Sequence, residues 1–387
     1  MKKLPKILLL LETSRKYGRG LLRGITRYAF LNGPWIMERE TPFYIKSGKD
    51  VRMTVDPTRW DVDGIIMREQ KYADKVLQAG IPVIFASYHK KYISQTSCIM
   101  SDDMAIGEMA ASYLLERGFR NFAYLGFKDM YWSENRQRGF VEAIAKSNYD
   151  VHIFKQARSK IDRLWSNEQF RVADWLRSLP KPLGLMGCND DRGLQAVNSA
   201  RIASLRVPED VAVVGVDDDD FVCNLASPPL SSVALNVEEV GYQAAELLDK
   251  LMSGEKVKPH KIPVNPTYVV TRRSSDIFAI NDKDVVNAVS FIYEHAKEPI
   301  QVIDVAEAVG MSRRGLYDKF RRTLNCSVSN YINRVRVDLI ARWLIHTNMT
   351  ISQIALKLGF SSPDHIAQYF RKHKGTNPSQ FRCRYRS

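Results

Sequence analysis

Over residues 5 to about 275, short apolar runs alternate with longer stretches whose apolar positions recur three or four apart. "ILLLL" precedes "GLLRGITRYAF", "GIIM" precedes "YADKVLQAG", "PVIFAS" precedes "AIGEMAASYLLERG", and "VAVVGVD" leads on to "VGYQAAELLDKLMSG". A continuous apolar run suits a strand buried on both faces, and an amphipathic stretch suits a helix laid over it, so the alternation predicts parallel sheets with crossover helices. Some 270 residues of this pattern exceed one doubly wound sheet, which predicts two Rossmann-like lobes facing a cleft.

The pattern changes after "TRRSSD" (271 to 276) and "INDKD" (280 to 284), which are rich in charge and turn formers and read as a linker. Beyond them the strand signal ends and an internal repeat appears. Val302, Val305, Ala306 and Val309 lie on one helix face and run into Gly310, Met311 and Ser312; Ile351, Ile354, Ala355 and Leu358 run into Gly359, Phe360 and Ser361, each offset by 49. Leu316 and Phe320, then Ile366 and Phe370, follow as apolar pairs offset by 50. A short helix, a glycine turn and a second helix with two anchors predict a helix-turn-helix, present twice. Thr350 with Gln353 forms a capping box, and Ser362 before Pro363 is an N-cap with proline in the first helical position. Between the units, Val328, Tyr331, Ile332, Val335, Leu339 and Trp343 keep helical spacing, so one helix is expected to hold the units at a fixed separation.

The second helices leave Arg313, Arg314, Tyr317, Asp318 and Arg321 in the first unit, and Asp364, His365, Gln368, Arg371 and Lys372 in the second, off the apolar face. Arginine reads guanine and glutamine reads adenine through paired hydrogen bonds, while basic groups at a helix end hold phosphate. These residues, with the cap Ser362, form the expected contact set for double-stranded DNA.

The loops at the strand ends of the first 270 residues carry a different chemistry: "ETSRKY" (12 to 17), "YHKKY" (88 to 92), "SDD" (101 to 103), "KDMYWSENRQRGF" (128 to 140), "CNDDR" (188 to 192) and "DDDDF" (217 to 221). Carboxylates and an amide accept from and donate to neighbouring hydroxyls, arginine donates back, and a ring such as Trp132 or Phe221 covers an apolar C–H face. This set suits a neutral polyol, with Arg15, Lys16 and Tyr17 on one wall of the cleft. Gly18, Gly20 and Gly24 nearly spell a dinucleotide fingerprint, with Glu38 in the place of its acid. Their spacing is G-x-G-x-x-x-G, though, and six polar residues separate Leu11 from Gly18, which argues against a nucleotide site.

Charge sharpens the division. The chain of 387 residues carries 57 Lys and Arg against 43 Asp and Glu, and from Asn281 onward 17 basic residues face 9 acidic ones. Over half of the net +14 thus sits in the last quarter, as expected for an end that meets a polyanion. Five dispersed cysteines with no C-x-x-C suit a reducing cytosol, and "ILLLL" is too short for a signal peptide or membrane helix. Asp217 to Asp220 with Asn189, Asp190 and Asp191 could attract Mg²⁺, yet no P-loop or other phosphate element accompanies them. No nucleophile with a matched histidine and acid is present, and the seven histidines show no metal-pair spacing. Neither an enzyme, a metal nor a cofactor is expected.

"DVAEAVGMSRRGLYDKFRRTL", "YINRVRVDLIARWLI" and "ISQIALKLGFSSPDHIAQYFRKHKGTNPSQFR" resemble the double helix-turn-helix domain of AraC-type activators. "RQRGF", "CNDD" and "VPEDVAVVGVDDDDF" followed by "PPLSSVALN" resemble the sugar-binding domain of LacI-type repressors, a periplasmic-binding-protein type I fold. The resemblance implies a sensor over 1–275, a linker over 276–284 and an all-α reader over 285–387. It implies sugar contacts at Asp102, Arg136, Asn189 and Asp217, and base contacts at Arg314, Tyr317, Asp318, Asp364, His365 and Gln368. Two departures stand out: the small LacI-type headpiece is missing before the sensor, and "ETSRKYGRG" differs from typical repressor loops. A LacI-type sensor placed before an AraC-type reader resembles bacterial xylose-operon activators. That implies a cytoplasmic homodimer whose sensor closes on D-xylose or a similar monosaccharide, binds two DNA half-sites and recruits RNA polymerase; a repressor with the same parts would read alike.

Overall fold

In a computed structural model, residues 4–39, 61–68, 73–86, 96–159, 161, 162, 164–279, 282–324 and 326–385 are described. The "YHKKY" loop lies outside them. The first lobe starts with β1 (Lys6–Leu10), α1 (Lys16–Asn32), β2 (Ile36–Arg39), β3 (Gly64–Arg68), α2 (Ala73–Gln78), β4 (Val83–Ala86) and β5 (Cys98–Ser101). The chain then crosses into a second lobe of α3 (Asp103–Glu116), β6 (Asn121–Leu125), α4 (Tyr131–Ala145), β7 (Val151–Ile153), α5 (Trp165–Ser178), β8 (Leu183–Gly187), α6 (Asp190–Ile202), β9 (Val211–Val216), α7 (Asp220–Leu225) and β10 (Ser231–Leu235). It returns for α8 (Val237–Met252) and β11 (Lys261–Val264) and crosses once more for β12 (Pro266–Val270).

Among the described residues the result is two six-stranded sheets, ordered β11-β5-β4-β3-β1-β2 and β12-β10-β9-β8-β6-β7. Every pairing is parallel except β12 against β10. Strands such as "ILLL" and "VAVVGV" are buried along almost their whole length, as helices on both faces of a parallel sheet require. This is the expected α/β type I arrangement of two lobes followed by a helical domain. The crossings lie side by side: Asp102 N donates to Val264 O at 2.9 Å, and Asn236 N donates to Asn265 O at 3.2 Å. Adjacent crossing strands of this kind are the geometry of a hinge between two lobes.

The glycines of the opening segment serve this packing. The loop after β1 ends at Arg15, so Gly18, Gly20 and Gly24 lie inside α1, whose buried face meets α8. A Cβ on Gly24 would stand 1.9 Å from Glu238 O, and one on Gly241 would stand 2.2 Å from Leu21 O. The backbones of α1 and α8 meet only because both positions lack a side chain, and no phosphate is needed to explain them.

The C-terminal part contains α9 (Lys283–Glu294), α10 (Val302–Ala308), α11 (Arg313–Leu324), α12 (Val328–His346), α13 (Ile351–Lys357), α14 (Pro363–Lys374) and α15 (Pro378–Tyr385). Gly310 and Gly359, at φ 66° and 70°, make the left-handed turns between α10 and α11 and between α13 and α14. Leu316 and Phe320 sit in one core and Ile366 and Phe370 in another. Helix α12 feeds both: Tyr331, Ile332 and Val335 enter the first, while Val337, Ile340, Ala341 and Leu344 enter the second. A helix gripped from two sides carries its apolar residues on different faces in its two halves, so a single-stripe reading found only part of its buried set.

The polar segment before α9 is docked on the second lobe. Ser274 and Ser275 are fully buried, Ser274 Oγ donates to Val213 O at 2.7 Å, and Ala279 N donates to Arg117 O at 2.8 Å. Serines mimic linker composition while their hydroxyls satisfy buried backbone.

Candidate functional site

A cavity of about 230 Å³ lies between the lobes, beyond the carboxyl ends of the strands. The first lobe contributes Glu12, Arg15 and Tyr17 around the start of α1, with Arg68 and Ser101 at the ends of β3 and β5. The second lobe contributes Asp103 on α3, Tyr131, Trp132 and Arg136 on α4, Asn189 before α6 and Asp217 after β9.

Arg136 organises the floor. Buried in α4, its Nε donates to Asp103 Oδ1 at 3.0 Å and its Nη1 donates to Cys188 O at 2.7 Å. Its guanidinium also lies 5.0 Å from the centre of the Trp132 ring and 3.9 Å from Asp217 Oδ1. Burial works against the guanidinium charge, but Asp103 and Asp217 outweigh it and hold the pKa above its ordinary value. Asp217 is held by the backbone at φ 99°, a conformation that costs free energy for a residue with a Cβ. Among the described residues, its Oδ1 is buried without a hydrogen-bond donor. Burial pushes its carboxyl up to about 6, with Arg136 pulling the other way. A strained backbone that delivers an unmatched acceptor into a cleft is what a ligand hydroxyl would complete.

Asn189 caps α6 by accepting from Arg192 N at 3.0 Å, which fixes its amide at the cavity edge. Across the cleft, Arg15 Nε and Nη2 donate to the two carboxylate oxygens of Asp191 at 2.9 and 3.1 Å. Lys16, expected on the cleft wall, lies outside the cavity lining: its Nζ donates to Asp218 Oδ2 at 2.7 Å, and Arg19 Nη2 donates to Asp219 Oδ2 at 2.8 Å. The start of α1 therefore clasps the acidic run of the opposite lobe. Of the acids that could have suggested Mg²⁺, Asp191, Asp218 and Asp219 are engaged in this clasp, Asp190 accepts from Ser232 Oγ and Asp219 N, and Asp217 faces the cleft.

Six of the eight residues expected at the sugar site line one cavity: Arg15, Tyr17, Trp132, Arg136, Asn189 and Asp217. Asp102 instead caps α3, accepting from Ala105 N at 3.1 Å, while its neighbour Asp103 faces the cleft. In "SDD" both acids are equivalent as letters, and only the helix phase separates them. Phe221 is 71% exposed on α7 and lies outside the cavity lining. Tyr131 and Arg68 were missed; Tyr131 stands beside Trp132 in a loop already singled out, but Arg68 ends a strand that carried no polar signal.

In the helical domain every nominated side chain is exposed except Ser362, which is half-buried because it accepts from His365 N at 3.1 Å. Arg313, Arg314, Tyr317 and Asp318 share one outer surface of α11, where Arg321 Nε donates to Tyr317 OH at 3.2 Å. On α14, Asp364, His365 and Gln368 lead to Arg371 and Lys372 in the last turn; His365 is oriented by Ser361 Oγ at 3.0 Å and by the Phe360 ring. Lysine and arginine in that turn also complement the negative end of the helix dipole.

The chain matches the periplasmic binding protein-like domain over residues 111–275 and the helix-turn-helix domain over residues 305–384. It is 29% identical to the xylose operon regulatory protein of Haemophilus influenzae over 97% of this chain and 98% of that one. It is 27% identical to the Escherichia coli K12 protein of the same name, over 97% and 96%. Among solved structures it resembles the xylose-binding transcription activator xylR, with a TM-score of 0.62 and 25% identity over the full length of both chains. Among the described residues no helix is long and apolar enough to cross a membrane.

Proposed function

We propose, for a chain that is a transcription regulator joining a periplasmic binding protein-like sensor to an AraC-type helix-turn-helix domain, that D-xylose or a closely related monosaccharide is its effector and switches its grip on DNA. The observation that carries this reading is Asp217: an acceptor held in a strained conformation, its Oδ1 buried without a donor among the described residues, and flanked in the cleft by Arg136, Asn189, Arg15 and Tyr17. A sugar offers donors and acceptors on adjacent carbons and a C–H face for Trp132. Binding between the lobes favours the closed state in proportion to its preference for that state. The sensor spans 1–275, the connector 276–284 and the reader 285–387.

The reader places α11 and α14 in successive major grooves. Helix α12, about 28 Å long at 1.5 Å per residue, spans most of one duplex turn of about 34 Å. Arg314, Tyr317, Asp318, Asp364, His365 and Gln368 read base edges, while Arg313, Arg321, Arg371 and Lys372 hold phosphates. A homodimer in the cytoplasm engages two half-sites and recruits RNA polymerase to sugar-catabolic genes.

A thermal-shift panel of aldoses and polyols on the intact protein tests the effector. D-xylose should raise the melting temperature with the logarithmic concentration dependence of a ligand of the folded state. The shift should shrink in Asp217→Asn. A panel in which no monosaccharide stabilises the protein would overturn the reading.

A further inference from the structure

Asp217 and Asp218 follow β9 with positive φ of 99° and 51°, and they have different partners. Asp217 lines the cleft; Asp218, its side chain only 9% exposed, is shared between two cations. Its Oδ2 accepts from Lys16 Nζ at 2.7 Å, and Lys16 belongs to the opposite lobe. Its Oδ1 accepts from Arg272 Nη2 at 2.7 Å, and Arg272 opens the segment leading into the helical domain.

We infer that Asp218 couples closure of the cleft to the connector. Lys16 and Asp218 stand on lobes that separate at the hinge, so their bond exists only when the cleft is shut. The inference rests on the reading that a sugar shuts it. When Lys16 is withdrawn, Asp218 and Arg272 lose their third partner and the first anchor of the connector is altered.

From Arg272 the segment continues through bonds that leave little slack. Arg272 Nη1 donates to Leu230 O at 3.0 Å, Ser231 Oγ donates to Arg272 O at 2.7 Å, and Arg117 Nε donates to Ser275 O at 3.3 Å. Next to Arg117, Glu116 Oε1 lies 3.2 Å from Arg334 Nη1 on α12, the helix that carries both helix-turn-helix units. A two-state contact at the cleft thus abuts a continuous set of contacts ending on α12. Coupling through it is a measurable free energy.

The test uses the intact protein, D-xylose, and a duplex selected from random DNA on the same protein. The quantity read is the ratio of DNA affinities with and without saturating D-xylose, in wild type, Lys16→Met, Arg272→Met and the double variant. Each single substitution should shrink that ratio at least about fivefold, within the usual span of allosteric coupling. The double should shrink it no further, because both break one chain of contacts. D-xylose should still raise the melting temperature of every variant. Lys16→Arg and Arg272→Lys, which keep a cation on Asp218, should preserve the ratio; Asp218→Asn, which keeps the shape and removes the charge both cations share, should shrink it and carries the test should either methionine variant fold poorly. A wild-type ratio in both methionine variants, or losses that simply multiply in the double, would overturn the inference. Absence of any wild-type melting shift with D-xylose would instead overturn the sugar reading, and this inference with it.

Discussion

The cleft and the reading helices use similar side chains in opposite ways. Arg136 in the cleft is buried, bonded on two sides and flanked by two carboxylates. Arg313, Arg314 and Arg371 on the reading helices stand in solvent. A small neutral ligand has no charge to attract from a distance, so its site must be built beforehand from groups already desolvated and aligned. A duplex is long and charged, so its reader needs exposed cations at the correct spacing, and that spacing is supplied by a rigid repeat. A buried, bonded cleft residue such as Arg136 should therefore be hard to replace, whereas substitution of one exposed arginine on α11 or α14 should cost little stability.

The largest effect expected from this contrast is Arg136→Ala. It leaves Asp103 and Asp217 buried without their cation, which costs about 3–5 kcal/mol of stability by analogy with other broken buried pairs. Urea denaturation should show that loss together with failure to bind D-xylose, whereas Arg314→Ala should leave the urea midpoint near that of wild type. Equal destabilisation by both would break the contrast.

Acidity should produce a smaller change, and only in the sensor. The folded Asp217 carboxyl sits at about 6 against its ordinary 3.8, so the folded chain holds the extra proton in between. Stability from this group therefore increases as pH falls through that window, while its ability to accept from a hydroxyl decreases. Affinity for D-xylose should drop about tenfold from pH 7 to pH 5, as the ionised fraction falls to about a tenth. Calorimetric titrations at both pH values should show the drop in wild type and lose most of it in Asp217→Asn. The same drop in the variant would assign the titration elsewhere, for example to Asp103, whose carboxyl burial also raises.

The smallest expected effect is Lys372→Ala. If Lys372 holds one phosphate, DNA affinity should weaken about equally for all sequences, and the slope of log affinity against log salt should become shallower by about 1. Gln368→Ala should instead relax sequence preference with little change in slope. A slope change in Gln368→Ala alone would exchange the two roles.

Legibility followed the same division. The reader was visible because a repeat at offsets of 49 and 50 marks turn glycines, caps and anchors twice, and each copy checks the other. The lobes were visible because buried parallel strands are uniformly apolar. Inside the cleft the residue types were legible but their directions were not. Asp102 and Asp103 differ by one step of helix phase, and Phe221 lies on a short helix whose outward face the string "DDDDF" does not disclose. The clasp from Arg15, Lys16 and Arg19 to Asp191, Asp218 and Asp219 joins residues well over a hundred positions apart, so no local pattern could announce it. The docked connector was concealed by its composition, since serine and arginine are the letters of a solvated linker and also of a buried polar network.

A sugar in the cleft should change the protein's grip on DNA, and fluorescence anisotropy measures that change most directly. Intact wild-type protein would be titrated into a labelled selected duplex at fixed salt, with and without saturating D-xylose. The two affinities should differ by about 5- to 150-fold, with the same factor recovered when D-xylose is titrated in the presence and absence of DNA. D-xylose binding that leaves DNA affinity unchanged would contradict it.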